Sequence, residues 1–220
     1  LDRATVERLE GVYPPGHVKH RPMLLGMRGM NVIGQPVYGA LDPHKPLAIP
    51  GQPLVVEVVA LDWKWLFIYP SLNIASVNQV WIPAGQPVTF HITADAPMNS
   101  FWIPELGGQI YAMTGMVTEL NLVADRPGIF PGVSANYSGI GFAQMRFDTV
   151  SATEADFAAW VVAVQHASST LSAGAYAALA QPGVVDGPRY YASVQKDLYN
   201  SIVHKFMSPQ PMPMPGMEHY

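Results

Sequence analysis

Cysteine is absent from all 220 residues. That single gap removes disulfides, thiolate-bound metals, iron–sulfur clusters and cysteine nucleophiles together. Charge is scarce too. Charged residues make up 13% of the chain, and 12 Lys+Arg against 16 Asp+Glu leave a net charge of −4, where roughly a quarter of a typical domain is charged. The cations form no cluster, so no basic stripe is available to neutralise a phosphate backbone, and nucleic acid is excluded as a partner. Long apolar runs are also missing. A membrane-spanning helix needs about 20 consecutive apolar residues, whereas Leu54 to Ala60 is broken by Glu57 and Trp160 to Val164 is short. The chain by itself is therefore expected not to span a bilayer. Its start, Leu1-Asp2-Arg3, has neither a methionine nor a signal-peptide core, and reads as processed or trimmed.

What is present is apolar, at 49%, with 19 Gly and 21 Pro. A surface so poor in charge is expected to be partly covered by a partner. The glycines and prolines act as turn punctuation. Between them lie β-branched and aromatic runs: Leu54–Leu61, Trp63–Tyr69, Ala75–Ile82, Val88–Ala94, Gln109–Ala112, Val117–Val123 and Gln144–Val150. In the sixth run, Val117, Glu119, Asn121 and Val123 alternate with Thr118, Leu120 and Leu122, which predicts a sheet with unlike faces. Seven or so short strands at such spacing predict a mainly β sandwich or barrel.

After residue 152 the texture changes. Thr153 offers a hydroxyl cap with Glu154 and Asp156 in the first turn, and Phe157 to Val164 follows at helical spacing. Ser172–Ala180 predicts a second helix and Val194–Met207 a third, with Leu198, Ile202 and Phe206 on one stripe. The division expected is residues 1–37 with no assigned structure, a β-domain over 38–152, a helical arm over 153–207, and a Pro/Met-rich extended tail over 208–220.

One spacing carries chemistry. Ser134, Ser138, Phe142 and Met145 fall at intervals of four, four and three in a Gly-rich loop before a strand, and upstream Asn99 stands in Ala96-Pro97-Met98-Asn99-Ser100-Phe101-Trp102-Ile103-Pro104. This resembles subunit II of the haem-copper respiratory oxidases. In the members that oxidise cytochrome c, the loop reads Cys-x3-Cys-x3-His-x2-Met with an earlier His, and holds a binuclear copper centre (CuA). The resemblance places the first His at Asn99, the bridging cysteines at Ser134 and Ser138, the carbonyl donor at Asn136, the second His at Phe142 and the Met at Met145. Only Met145 keeps a metal-capable side chain. Such copper needs thiolate and imidazole donors, so the resemblance implies a vacated site, as in the quinol oxidase branch. Asp62-Trp63-Lys64-Trp65 with Phe67-Ile68-Tyr69-Pro70, Gly108 to Met116, and the segment after Thr153 agree with that branch. The resemblance runs from about Tyr38 to Met207.

It implies a cupredoxin-like Greek-key β-sandwich with a C-terminal helical arm. The implied role is a non-catalytic subunit II on the periplasmic face of the bacterial inner membrane, with no catalytic, cofactor or metal site of its own. Haem and copper are expected in subunit I, which would oxidise quinol, reduce O₂ to water and translocate protons. Partners are expected to be subunit I and other membrane subunits, with no small-molecule substrate bound by this chain alone. Trp63, Trp65, Phe101, Trp102 and Tyr137 are expected in the β-core or at that contact. The family's paired transmembrane helices have no counterpart in residues 1–37.

Other residues carry less. His91, His166 and His204 are isolated, and Ser134 and Ser138 have no adjacent base. Glu105, Glu119, Asp125 and Asp148 form no recognisable catalytic pair. Met207, Met212, Met214, Met217 and His219 offer soft donors. That run reads either as a mobile tail or as a Cu(I) site, the latter making the chain a soluble periplasmic copper-binding protein.

Overall fold

The computed structural model describes residues 52–206. The expectations for residues 1–37 and for the tail, including Met207, Met212, Met214, Met217 and His219, lie outside them. Strands β1 (Leu54–Leu61), β2 (Lys64–Tyr69), β3 (Ile74–Val77), β5 (Val88–Ala94), β8 (Thr118–Leu122) and β12 (Arg189–Tyr191) form one sheet in the order β12-β3-β2-β1-β5-β8. Strands β4 (Gln79–Pro83), β6 (Asn99–Trp102), β7 (Ile110–Ala112), β9 (Gly128–Ser134) and β10 (Arg146–Ala152) form a second, in the order β4-β10-β9-β6-β7. The β1–β5 and β4–β10 pairs are parallel and the other pairs of these two sheets antiparallel, so the chain crosses repeatedly between layers. This is a mainly β, cupredoxin-like sandwich.

The near-continuous apolar runs of β1 and β2 have a physical reason: both faces of their sheet are covered. Val56, Val58, Ala60, Trp65, Phe67 and Tyr69 enter the core between the sheets. Val59, Leu61, Leu66 and Ile68 enter a second core beneath the C-terminal segment. In the first core, Phe101 stacks on Phe147 at 5.0 Å and Trp65 meets Phe101 edge-on at 5.3 Å. Gly132 sits under this stack, where any Cβ would overlap the Phe147 ring.

The expected strand Ala75–Ile82 is two strands, one in each sheet. Asn78, at φ 57°, turns the chain between them, and its Oδ1 accepts from the Trp65 N–H at 2.9 Å. Strands β6 and β9 were not expected. Pro131 obscures β9, yet it is tolerated because β6 pairs with β9 only at Val133 and Ser134, leaving Pro131 bonded on one side.

Beyond β10, helix α1 (Glu154–Gln165) starts at Thr153, whose hydroxyl accepts from the Asp156 N–H at 3.2 Å. Trp160 from α1 stacks on Trp81 at 5.4 Å. Helix α2 (Ala173–Leu179) starts at Ser172, and helix α3 (Leu198–His204) is shorter than the expected Val194–Met207. Val194 belongs instead to β13 (Ser193–Val194), which pairs with β11 (Thr170–Leu171), and Asp197 at φ 62° separates strand from helix. Phe206 therefore falls beyond the helix and is 43% exposed. The segment after residue 152 also adds β12 to the edge of the larger sheet, pairing with β3. Among the described residues no helix is long and apolar enough to cross a membrane.

Candidate functional site

At one end of the sandwich, β6 begins where β9 ends. Asn99 is fully buried, and its Oδ1 accepts from Ser134 Oγ at 2.7 Å across 35 residues of sequence. Asn99 Nδ2 donates to the Pro97 carbonyl at 2.7 Å, so the amide is used at both ends. Asn136 Nδ2 donates to the Met98 carbonyl at 2.9 Å, and the Ala135 N–H to Ser100 at 3.0 Å. The loop closes on itself: the Ser134 N–H reaches the Met145 carbonyl, and the Met145 N–H the Phe142 carbonyl, through the 3₁₀ turn Phe142–Gln144. The Met145 side chain points into the main core. Ser138 Oγ is buried without a partner among the described residues.

Trp63 holds this loop from the other sheet. Its backbone is left-handed, φ 64°, at the β1–β2 turn. Its Nε1 donates to the Ser138 carbonyl at 3.0 Å, and its ring lies so close over Gly141 that a Cβ there would overlap it. Trp65 and Phe101 are fully buried. Trp102 is half-buried and donates from Nε1 to the Gly107 carbonyl at 3.1 Å. Tyr137, by contrast, is 76% exposed beside Ile140 at 93%, its ring 5.6 Å from Phe142. Exposed Met98 and Tyr111 adjoin them, Met98 through Asn136 and Tyr111 as the cross-strand neighbour of Ser100. The structure thus ties Asn99, Ser134, Asn136 and Met145 into one hydrogen-bonded unit, with Ser138 and Phe142 in the same loop.

The donor set does not fit a copper pair. Phe142 has no donor, the Asn99 amide is committed on both sides, and Ser134 gives its proton to Asn99. What is left is a neutral hydroxyl and a core thioether, neither of which replaces bridging thiolates and imidazoles. Among the described residues, no three His, Cys, Asp or Glu side chains are grouped to hold a metal ion. His91 lies 3.8 Å from Glu119, and His166 Nδ1 bonds to the Val162 carbonyl.

Ionic chemistry lies elsewhere, under the C-terminal segment. Lys64 is 2% exposed, and its ammonium donates to the carbonyls of Asp62 (3.1 Å), Gln181 (2.7 Å) and Gly183 (2.9 Å). Burial lowers its pKa, Asp62 opposing and Arg189 adding to the effect. Asp95 receives Tyr176 Oη at 2.6 Å and Lys205 Nζ at 2.7 Å, which fastens α2 and the end of α3 to β5. Burial and Asp95 together push the Tyr176 phenol up. Glu57 on β1 is pushed up to about 7 by burial and by Asp197. Sequence reasoning missed Glu57, Asp95, Asp197, Tyr176 and Tyr199. The only signals were an acid within the valines of β1 and a lysine between two tryptophans.

Two family models match the chain: one described as the periplasmic domain of cytochrome c oxidase subunit II, over residues 70–151, and one as the COX aromatic-rich motif, over residues 165–210. A cytochrome bo(3) ubiquinol oxidase subunit 2 from Pseudomonas aeruginosa is 48% identical over 166 residues, covering 76% of this chain and 50% of that protein. A ubiquinol oxidase subunit 2 from Acetobacter aceti is 51% identical over 170 residues, covering 76% and 55%. The chain thus spans about half the length of the curated relatives it matches. Among solved structures, the periplasmic domain of cytochrome oxidase subunit II from Bradyrhizobium japonicum aligns with TM-score 0.49 at 22% identity, covering 52% of this chain and 95% of that one.

Proposed function

The chain belongs to the subunit II family of the haem-copper quinol oxidases, and on that premise we propose that it is a copper-free periplasmic domain supporting a redox subunit that does the chemistry. In this reading quinol oxidation, O₂ reduction to water and proton translocation occur in subunit I, which holds the haems and copper. The chain contributes shape. Asn99, Ser134, Asn136, Ser138, Phe142 and Met145 are the remains of a CuA loop whose metal bonds have been exchanged for neutral hydrogen bonds and packing.

The observation that carries this is the Asn99–Ser134 hydrogen bond. It joins the two positions that would be a copper-bound imidazole and a bridging thiolate, and it is complete without metal. The apolar rim of Met98, Tyr111, Tyr137 and Ile140 beside the loop supports a contact with another subunit, since exposed aromatic and aliphatic groups in one patch mark interfaces. No observation among the described residues favours the copper-carrier alternative.

Co-expression with the polytopic subunit I of a quinol oxidase tests the reading. The expected result is a co-purifying complex with quinol oxidase activity, weakened by Ile140→Asp and Tyr137→Asp while the isolated chain keeps its fold. A wild-type chain that neither co-purifies with nor supports such a subunit would overturn it.

A further inference from the structure

The larger sheet ends at β8 and the second sheet at β7, and the two edges meet at one seam of the sandwich. Thr118 Oγ1 donates to the Tyr111 carbonyl at 2.7 Å, which brings the start of β8 against β7. Gly115, at φ 69°, turns the chain between them, and the last described residue is packed on it: a Cβ at Gly115 would lie 3.3 Å from the Phe206 Cβ. Large apolar side chains are left in solvent around that contact. Tyr111 is 49% exposed, Met116 52%, Val117 49% and Phe206 43%, four of the ten such side chains among the described residues. Scattered singly they would need no explanation, but grouped at one seam they form a patch of the kind that marks a binding surface. The flanking charges already have partners: Lys205 pairs with Asp95 at 2.7 Å and lies 5.0 Å over the Phe206 ring, and Glu119 faces His91 at 3.8 Å.

The chain itself delivers a matching segment to this place. Residues 207–220 follow Phe206 directly, and from Met207 to Met217 they include no Asp, Glu, Lys or Arg, so covering the patch with them buries no charge. Met207, Met212, Met214 and Met217 carry flexible, polarizable side chains of the kind that fill irregular apolar surface and lie against aromatic rings. Pro209, Pro211, Pro213 and Pro215 stand at every second position. Proline fixes φ, so such a segment loses less conformational entropy when it is held, and aromatic-lined surfaces are the usual receptors of proline-rich sequences. At about 3.1 Å per residue, residues 208–217 can reach about 30 Å, whereas the patch extends over roughly 10 Å of strand. The segment is tethered at the patch, which gives it an effective concentration in the millimolar range that a dilute second molecule does not match. We propose that residues 208–217 dock on the patch of Tyr111, Met116, Val117 and Phe206, covering the seam with thioether side chains and proline rings. This does not rest on the reading of the copper loop, and of the rim assigned to another subunit it takes in only Tyr111.

Because the chain has no cysteine, a nitroxide placed on Gly216→Cys is unique, and paramagnetic broadening of amide NMR signals in the full chain tests the proposal. Broadening is expected at Tyr111, Met116 and Val117, and not at Val162 on α1. An undocked segment would also pass near Phe206, so the decisive reading is the response to substitution on each side of the contact. Met116→Asp changes an exposed turn position and is expected to fold; it should cut the broadening at Tyr111 by about threefold or more. Met212→Ser with Met214→Ser, which touches no described residue, should do the same, while Val162→Asp should leave the broadening as it is. Mixing nitroxide-bearing chain with isotope-labelled chain that carries no nitroxide should leave the patch signals sharp. Absence of broadening at Tyr111, equal broadening at Val162, broadening unchanged in both the patch and the segment variants, or broadening in the mixture, which would put a second copy on the patch, would each overturn the proposal.

Discussion

The loop end of the sandwich and the face beneath the C-terminal segment treat polar groups in opposite ways. At the loop end Asn99, Ser134 and Asn136 are neutral and satisfy one another or nearby carbonyls, and Trp63 seals the glycines. Under the C-terminal segment the groups are ionic: Lys64 among three carbonyls, Asp95 between Tyr176 and Lys205, and Glu57 against Asp197. The loop is held by neutral hydrogen bonds and close packing, while Lys64 and Asp95 in the C-terminal contact are charged groups whose single removal leaves their partners orphaned.

The sharpest way to break this contrast is Lys64→Met. It strands three carbonyls, and a loss of about 3–5 kcal/mol is expected, with hydrogen exchange accelerating in α2 before it does in β1. If stability falls by less than a surface change would cause, the C-terminal contact is not ionic in the sense argued. Next is Gly141→Ala, which drives a methyl into the Trp63 ring; about 2–3 kcal/mol and a shift in tryptophan fluorescence should follow. Asn99→Ala should cost about 2 kcal/mol, since it removes the bonds to Ser134 and to the Pro97 carbonyl and leaves Ser134 only its longer bond to the Asn136 carbonyl, 3.4 Å, and a double-mutant cycle with Ser134→Ala should return a coupling of about 1 kcal/mol. A vanishing coupling would mean that the hydrogen bond does not hold the loop.

The smallest effect concerns pH. Glu57 sits at about 7 in the folded chain against 4.5 ordinarily, because burial and then Asp197 disfavour its charge. The folded state therefore holds the proton more tightly. The cost of ionisation is fully present above about pH 7 and is relieved as pH falls toward 4.5, so stability should rise on mild acidification. Discounted for its partial exposure, the cost is of order 1 kcal/mol. Glu57→Gln should recover that amount at about pH 8 and flatten the profile between 4.5 and 7, as chemical denaturation across that window would show.

The β-rich class, most strands and the helix starts at Thr153 and Ser172 were legible because period, turn residues and caps act locally. Strands β6 and β9 were not, because Asn99-Ser100 opens the one and Pro131-Gly132 interrupts the other. Their pairing depends on which neighbour stands on each side, and one sequence does not encode that locally. The third helix was overextended because Leu198, Ile202 and Phe206 keep helical spacing past His204, while the left-handed Asp197 shortens the start. Spacing and context pointed to the loop, and the structure brings Asn99 against Ser134 across 35 residues. The C-terminal charges were not: Lys64 meets Gln181, and Asp95 meets Lys205, across more than a hundred residues, and nothing near Glu57 in sequence foretells Asp197.

Copper uptake tests the central claim most directly. The chain would be equilibrated with buffered Cu(I) and Cu(II), then assayed for bound metal and for the absorption and spin-resonance signals of a binuclear centre. The account predicts that, with residues 208–220 deleted, no copper is retained, and that Met145→Leu changes nothing. Stoichiometric copper that survives that deletion and is lost on Met145→Leu or Ser134→Ala would contradict it.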